Sequence, residues 1–338
     1  TAYLSDGTLV NTNLPRFEPG RFGKAIMVEE GTENKIATPT TFAGWASLSG
    51  GAVLDNDGSF YPSQAKFARV TTTAWFFESN SIPAANGQTW SVSYIARRGT
   101  GDGEPRAAIM IMNASNTHVS NIIPTFSSCN IGGGWVRYET TFTISYADTG
   151  YIRLRFYVTA TNGGYHDFAL PQLEQKPYAT SFTDSTRSPE TLTIPTEGVL
   201  NPQEGTVEFW VKPLVVADFN SFFNMSTSNG RFLLFFATNG SARFDYGPNN
   251  TGPVAPAGTI VANNWYYIAL RWSATTGKQA LFINGVKYEE DLPNGVATSF
   301  PSTVSVVNNY GAYIDDLRIS NCARTDEEIA AAYASGQP

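Results

Sequence analysis

The sequence predicts an all-β protein made of two β-sandwich (jelly-roll) domains, one inserted in the other, with a short C-terminal helix. Three observations lead there. Only 15% of the residues are charged and 13% are aromatic, with 30 Gly and 19 Pro in 338 residues, a profile of many short strands joined by tight turns. Apolar residues alternate at period two in segment after segment. Turn signals separate those segments at the short spacing of a sandwich. The length suggests about two domains at roughly 150 residues each, and a hydrophobic content of 42% is enough to fill both cores.

The bulk numbers also exclude. A net charge of −7 argues against a polyanion partner such as nucleic acid, without excluding a local basic patch. Cys129 and Cys322 fall in different expected domains, so neither a disulfide framework nor a CxxC metal spacing is available. No run approaches the roughly 18 apolar residues of a membrane span, and no membrane insertion is expected. Thr1–Leu14 has no basic start followed by an apolar run, so export would need a removed signal or a route such as virion assembly.

Taken in order, residues 1–23 are polar and turn-rich, and Lys24–Glu29 is a short strand. Glu30–Asn34 breaks the pattern. The strands expected next are Ala52–Leu54, Ala65–Thr72, Thr89–Arg97, Ala107–Met112, Trp135–Ile144, Tyr151–Val158 and Tyr165–Leu173. In Tyr151–Val158 the residues Ile152, Leu154, Phe156 and Val158 face a core, while Tyr151, Arg153, Arg155 and Tyr157 face outward. Thr191–Ile194 resumes. Val207, Phe209 and Val211 then alternate with Thr206, Glu208, Trp210 and Lys212, and Pro213 ends that strand because it cannot donate to a ladder. Arg231–Ala237 is apolar on both faces and so central. Trp265–Trp272 follows. Gln279–Ile283 and Val286–Glu289 flank the hairpin signal Asn284-Gly285. Ala312–Ile319 is the last strand. Asp326–Ala334 reads as a helix with Thr325 as N-cap, Glu328 completing a capping box and Gly336 just past the end.

Three segments together resemble a concanavalin A-like, laminin-G-like jelly roll: Gly205–Pro213, Asn264–Val286 and Ala312–Ile329. The opening strand of that family is similar to Gly20-Arg-Phe-Gly-Lys-Ala-Ile-Met27, and its continuation to Arg187–Pro195, more than 150 residues later. The resemblance therefore implies a discontinuous jelly roll of residues 1–30 and 184–338, with residues 31–183 inserted in its first hairpin. It also makes Lys24–Glu29 and Thr191–Ile194 the expected neighbours of Gly205–Pro213. An exposed turn accepts a guest whose termini are close together. The inserted run resembles the galactose-binding-like sandwich of carbohydrate-binding modules in Phe42–Trp45, Gly87–Ser93, Gly134–Phe142 and His166–Glu174. Its flanking joints, Val28–Asn34 and Gln172–Phe182, look like those of phage tail and virion-associated proteins.

Sugar sites stack an aromatic on a pyranose face and flank it with planar polar groups. The Arg153, Arg155 and Tyr157 face of the inserted domain fits that description, and Arg97 and Arg98 end what reads as a neighbouring strand. The competing reading is a solvated sheet face whose arginines pair with acids such as Glu139. Trp75, in Ala74-Trp-Phe-Phe77, is the stacking candidate; Tyr165 and His118 complete the ligand-binding set. Trp45, Trp90 and Trp135 read as packing residues, as do Trp210, Trp265 and Trp272. Phe222, Phe223, Tyr246 and Tyr310 either line a second site or pack. The carbohydrate-binding-module resemblance implies a structural calcium held by Asp167, the last-strand acid, with Glu33 as partner, since oxygen donors suit that ion. Asp55-Asn-Asp-Gly58 lacks the later Glu of a calcium loop and reads as a turn. Asp315 or Asp316 binds an ion or bonds local backbone.

No catalytic residues are assigned. The paired carboxylates of a concanavalin A-like glycosidase are missing, Glu289-Glu-Asp291 lacks the third acid, and no hydrolase motif is present. The expected function is non-catalytic polysaccharide or cell-surface glycan binding, extracellular or virion-associated, with a homo-oligomer possible in principle. Two alternatives stay open: a structural or assembly protein of a virion or surface, marked by a flat apolar patch, and a polysaccharide lyase or hydrolase, marked by converging acids or a Tyr–His–Arg set.

Overall fold

The computed structural model describes residues 2–3, 9–10, 14–47, 52–60, 63–71, 76–101, 103–159, 164–217, 219–308 and 310–336. The chain divides into two compact units, one of residues 1–14 and 32–187, the other of residues 15–31 and 188–338. Residues 1–14, expected with the jelly roll, group instead with the first unit. Their described strands, Ala2–Tyr3 and Leu9–Val10, pair with each other in a two-stranded sheet of their own.

The first unit is a sandwich of two six-stranded sheets. One runs in the order His118–Ile122, Pro105–Met112, Tyr151–Val158, Phe77–Glu78, Ala46–Ser47, with Ile82–Pro83 also on Tyr151–Val158. The other runs Ser127–Gly132, Trp135–Thr143, Thr89–Arg98, Tyr165–Glu174, Lys66–Thr71, Ala52–Asp55. The alternation of Tyr151–Val158 works as its sequence demands: Ile152, Leu154 and Phe156 are fully buried and meet Trp90, Val92, Tyr94 and Phe168 of the opposite sheet. Phe156 and Phe168 stack with centroids 4.5 Å apart. The outer face of the second sheet is also covered. Phe67, Ile95, Trp135 and Ala169 lie under Phe60, Ala65 and Phe182.

The second unit is a sandwich of six and seven strands. The six-stranded sheet has the order Thr191–Pro195, Thr303–Asn308, Asn220–Thr227, Gly230–Phe236, Ala242–Gly247, Val254–Ala255. The seven-stranded sheet has the order Val286–Asp291, Lys278–Ile283, Tyr266–Ser273, Glu204–Pro213, Ala312–Ser320, Gly23–Val28, Arg16–Gly20. The neighbours of Glu204–Pro213 differ from those expected. It pairs with Tyr266–Ser273 and Ala312–Ser320; the last strand separates it from Gly23–Val28, and Thr191–Pro195 belongs to the opposite sheet. Arg16–Gly20, read as part of a turn-rich stretch, is an edge strand on Gly23–Val28.

Asn284 and Gly285 both have positive φ, 49° and 82°, as a two-residue hairpin of mirror-image type requires. The C-terminal helix, Asp326–Ser335, carries the capping box at Thr325 and Glu328. Ile329, Ala332 and Tyr333 cover Trp210, Tyr267, Ala269, Ala280 and Phe282 on the outer face of the seven-stranded sheet. Trp210 is thus buried under the helix and not inside the sandwich. Arg21 lies over its ring at 3.9 Å and donates to the Gly336 carbonyl from Nε at 3.1 Å and Nη2 at 2.8 Å.

The chain passes between the units three times, after residues 14, 31 and 187, and within each unit the last two passages are tied. In the second unit the Glu190 amide donates to the Glu29 carbonyl at 2.9 Å, and Arg16 Nη2 pairs with Glu29 at 2.8 Å and Glu190 at 2.7 Å. In the first unit Thr32–Glu33 pairs with Thr186–Arg187. Asn34, buried beside them, makes four bonds. Its Nδ2 donates to the carbonyls of Pro171 (3.1 Å) and Thr183 (3.0 Å), and its Oδ1 accepts from the amides of Ile36 and Leu173, both at 3.1 Å. An Asn34→Leu variant keeps the volume and orphans all four groups, at about 1–3 kcal/mol for each one that water does not reach. The first unit is expected to lose roughly 3 kcal/mol or more in urea denaturation. A loss below about 1 kcal/mol would show that the carboxamide is not the tie.

Candidate functional site

The half-exposed outer face of the Tyr151–Val158 sheet gathers part of the predicted ligand set. Tyr151, Arg153, Arg155 and Tyr157 alternate with the buried core residues and point outward together. One buried carboxylate fixes the two arginines. Glu78 accepts from Arg153 Nη1 at 2.8 Å on one oxygen, and from Arg155 Nε at 2.7 Å and Nη2 at 2.5 Å on the other. Arg153 Nε also donates to Ser81 Oγ at 2.8 Å, and the Arg155 guanidinium lies over Phe76 at 4.1 Å. Such charge-assisted forks hold geometry as well as energy. The register continues the face across the Pro105–Met112 strand: Arg106 stands opposite Tyr157, Ala108 opposite Arg155, Met110 opposite Arg153, and Met112 opposite Tyr151. Arg106 is exposed and has no hydrogen-bond or ion-pair partner among the described residues. His118, opposite Met112 on the edge strand, bonds Asn121 Oδ1 through Nε2 at 2.7 Å. The face therefore carries three arginines to one carboxylate, with flat tyrosines at both ends of its central strand.

Glu78, Arg106 and Ser81 were not singled out in the sequence. The acid that pairs the arginines is Glu78 and not Glu139, which pairs with Arg137 at 3.0 Å. For Arg106 the signal was present in the alternation before Met112; for Glu78 it was not, because that residue sits in a two-residue strand.

Arg97, Arg98 and Tyr165 do not join this face. Thr89–Arg98 lies in the other sheet, so it is no neighbour of Tyr151–Val158. There Arg69, Asp167, Arg97 and Trp135 form one cross-strand row. Arg69 donates to Asp167 from Nε at 2.8 Å and Nη2 at 3.0 Å, and Arg97 Nη2 adds a third bond at 3.1 Å. Arg97 Nη1 reaches Asp57 at 3.0 Å, and Ser59 with Arg97 holds the Asp57 carboxyl below its usual range. Arg97 lies over Trp135 at 4.8 Å, and Arg69 over Tyr165 at 3.7 Å. Arg98 pairs with Glu104 at 3.2 Å. These groups are engaged with one another. Trp75 lies outside the described residues.

The calcium pair is not formed. Asp167 already accepts three bonds from two guanidinium groups, whose positive charge disfavours a cation beside it. Glu33 pairs with Lys35, and its neighbours Thr32 and Asn34 contact Glu174 and Pro171. That is four or more residues along the strand from Asp167, on the order of 13 Å or more. No group of three or more His, Cys, Asp or Glu placed to hold a metal exists among the described residues. Asp55–Gly58 is a turn whose Asn56 and Asp57 bond the amides of Gly58 and Ser59. Asp315 accepts from the amides of Phe22 and Asp316, and Asp316 pairs with Arg318. In the second unit Phe222, Phe223, Tyr246 and Tyr310 are all buried in the sandwich core, so they line no site.

Residues 187–330 match the Laminin_G_3 family model, described as the concanavalin A-like lectin/glucanases superfamily. No curated protein matches the chain. Among similar solved structures are the receptor binding domain of botulinum neurotoxin C/D mosaic serotype (16% identity, TM-score 0.32, 40% of this chain and 36% of that one) and the binding domain of botulinum neurotoxin DC in complex with SialylT (13%, 0.35, 47% and 42%). A third is the heptameric SAP-like pentraxin from Limulus polyphemus (19%, 0.33, 42% and 72%). The chain spans less than half the length of the two neurotoxin domains. At these TM-scores the likenesses support no inference about ligand.

His166 is fully buried, accepts from the Gly99 amide through Nδ1 at 3.2 Å, and is pushed below its ordinary pKa by burial. The unfolded chain takes up a proton near pH 6.5 that the folded chain refuses. Stability is therefore expected to fall as pH drops from about 6.5 toward 5, before the carboxylates titrate. His166→Gln should flatten that part of the urea-midpoint profile; an unchanged slope would assign it to another group.

Proposed function

We propose that this protein binds a polysaccharide or cell-surface glycan without cleaving it, and that the Tyr151–Val158 face is the binding surface. The observation that carries the reading is the Arg153–Glu78–Arg155 fork. It presets two guanidinium planes on a sheet face between Tyr151 and Tyr157, with Arg106 beside them, unpaired among the described residues. Arg153 Nη2 and Arg155 Nη1 donate to no acceptor among the described residues, so each plane keeps N–H groups for sugar hydroxyls or a uronate carboxylate. Preset planar donors beside flat aromatics are what a sugar site needs, because little side-chain freedom is lost on binding. The family match of residues 187–330 to lectins and glucanases supports the ligand class.

The inserted unit then acts as a galactose-binding-like carbohydrate-binding module carried by a laminin-G-like jelly roll. Its place is outside the cell or on a virion, as a host- or surface-recognition part of a phage tail or bacterial surface protein.

Affinity electrophoresis against neutral and uronate polysaccharides, with reducing ends followed in parallel, tests this reading. Retention without product release is expected; no retention by any polysaccharide would refute it. Arg106→Ala and Tyr157→Ala should each weaken retention about five- to tenfold, roughly 1–1.4 kcal/mol, with the unfolding midpoint unchanged. Equal affinity in both variants would move the site off this face.

A further inference from the structure

The six-stranded sheet of the second unit carries a different cluster on its outer face. Its register sets Ser221, Phe235, Arg243 and Val254 in one row across four strands. Phe219 stacks on Phe235, with centroids 5.6 Å apart and planes at 26°. Phe219 is 70% exposed, and its backbone has φ of +59°. A bulky L residue holds that left-handed conformation only at a cost, and here an aromatic so exposed recovers little of it by burial.

Arg243 is half-buried beside this pair. It makes no side-chain hydrogen bond or ion pair among the described residues, and its Nη1 is buried without a partner. The nearest acid on the face is not available to it. Asp245, fully buried, is held by Arg231 and also accepts the amides of Asn250 (3.3 Å) and Gly252 (2.8 Å). The row thus presents one guanidinium without a counter-charge among the described residues, next to a strained, exposed aromatic stack.

We infer that this row is a second binding site, independent of the first unit's face, and that it takes a saccharide residue bearing a carboxylate or sulfate. The Phe219–Phe235 pair offers its exposed ring surface to the apolar side of the sugar. The Nε–Nη2 edge of Arg243, the part of its guanidinium that is not buried, takes the anionic group, which supplies an acceptor that no described residue provides. Charge complementarity selects the acidic sugar over its neutral parent, because the neutral sugar leaves Arg243 without a counter-charge. The chain's net charge of −7 disfavours long-range capture of a polyanion. Recognition at this row is therefore of a single acidic residue and weakens with salt.

The test uses the full chain carrying Arg106→Ala and Tyr157→Ala, which removes the first unit's face from the measurement. A panel of uronate and sulfated oligosaccharides is titrated, each beside its neutral parent. At least one acidic member is expected to bind ten times or more tighter than its parent. Adding Arg243→Gln should abolish that preference. Adding Phe219→Gly should weaken binding at least tenfold while holding or raising the unfolding midpoint, since glycine relieves the left-handed strain. No acidic preference in any pair overturns the inference. So does a preference that survives both substitutions, or one confined to protein with an intact first face. A Phe219→Gly variant that loses stability but keeps its affinity would show a packing ring instead of a platform. Failure of the first face would appear separately, as unchanged neutral-glycan retention when Arg106 and Tyr157 are replaced.

Discussion

The departure of the chain into residues 32–187 and its return from them is the constraint on which the rest depends. The second unit cannot complete its seven-stranded sheet unless Gly23–Val28, placed before residues 32–187 in sequence, is held beside Ala312–Ser320, placed long after them. Closing a loop of that length costs entropy that grows only slowly with its size, but the ends must still meet. Arg16, Glu29 and Glu190 bring them together on one side, in a buried ionic knot that is costly to break by removing one member. On the other side the fully satisfied Asn34 carboxamide and the buried Glu174 do the equivalent. Glu174 accepts from Thr32, from Gln172 Nε2 at 2.8 Å, and from the Thr180 amide at 3.0 Å. The polar joints that flank residues 31–183 in sequence are therefore closures, and their unusual polarity in a buried place follows from that task.

Much of this was legible, and what was not has physical causes. Strands that bury one face, such as Tyr151–Val158 and Glu204–Pro213, announce themselves by alternation. His118–Ile122 and Ser127–Gly132 do not, because they are edge strands exposed along most of their length. Asn220–Thr227 hides for another reason. A register shift between Phe222 and Met225 lets the consecutive Phe222 and Phe223 both point into the core, which destroys period two. Sheet order was the least legible feature, since pairing across hundreds of residues leaves no local trace. It misplaced both the neighbours of Glu204–Pro213 and the relation of Arg97 to Arg155.

The same blindness shaped the reading of the sites. That Arg153 and Arg155 share a face follows from their spacing alone. Which acid they meet does not: Glu78 lies 75 residues away from Arg153 and 77 from Arg155, while Glu139, nearer in sequence to both, belongs to the other sheet. Asp167 illustrates the converse. Its type and position suited a metal by resemblance, but the strand order put Arg69 on one side and Arg97 on the other, and two fixed guanidinium groups take most of its acceptor sites.

Each sandwich, taken by itself, covers the outer face of one sheet with its own chain. In the first unit Phe60, Ala65 and Phe182 close over Trp135; in the second the C-terminal helix closes over Trp210. The opposite sheet in each keeps arginines and aromatics on its outer face, and the two faces solve their electrostatics differently. In the first, Glu78 sits between two arginines, so the pair is rigid and most of its charge is shared, which suits recognition of hydroxyl-rich surface through directed hydrogen bonds. In the second, the buried acid Asp245 is spent on Arg231 and on loop amides, so Arg243 has no acid partner among the described residues. A residue with no counter-charge among the described residues discriminates by charge where a neutralised fork discriminates by shape. The number of free acids near each arginine, more than the number of arginines, separates the two faces chemically.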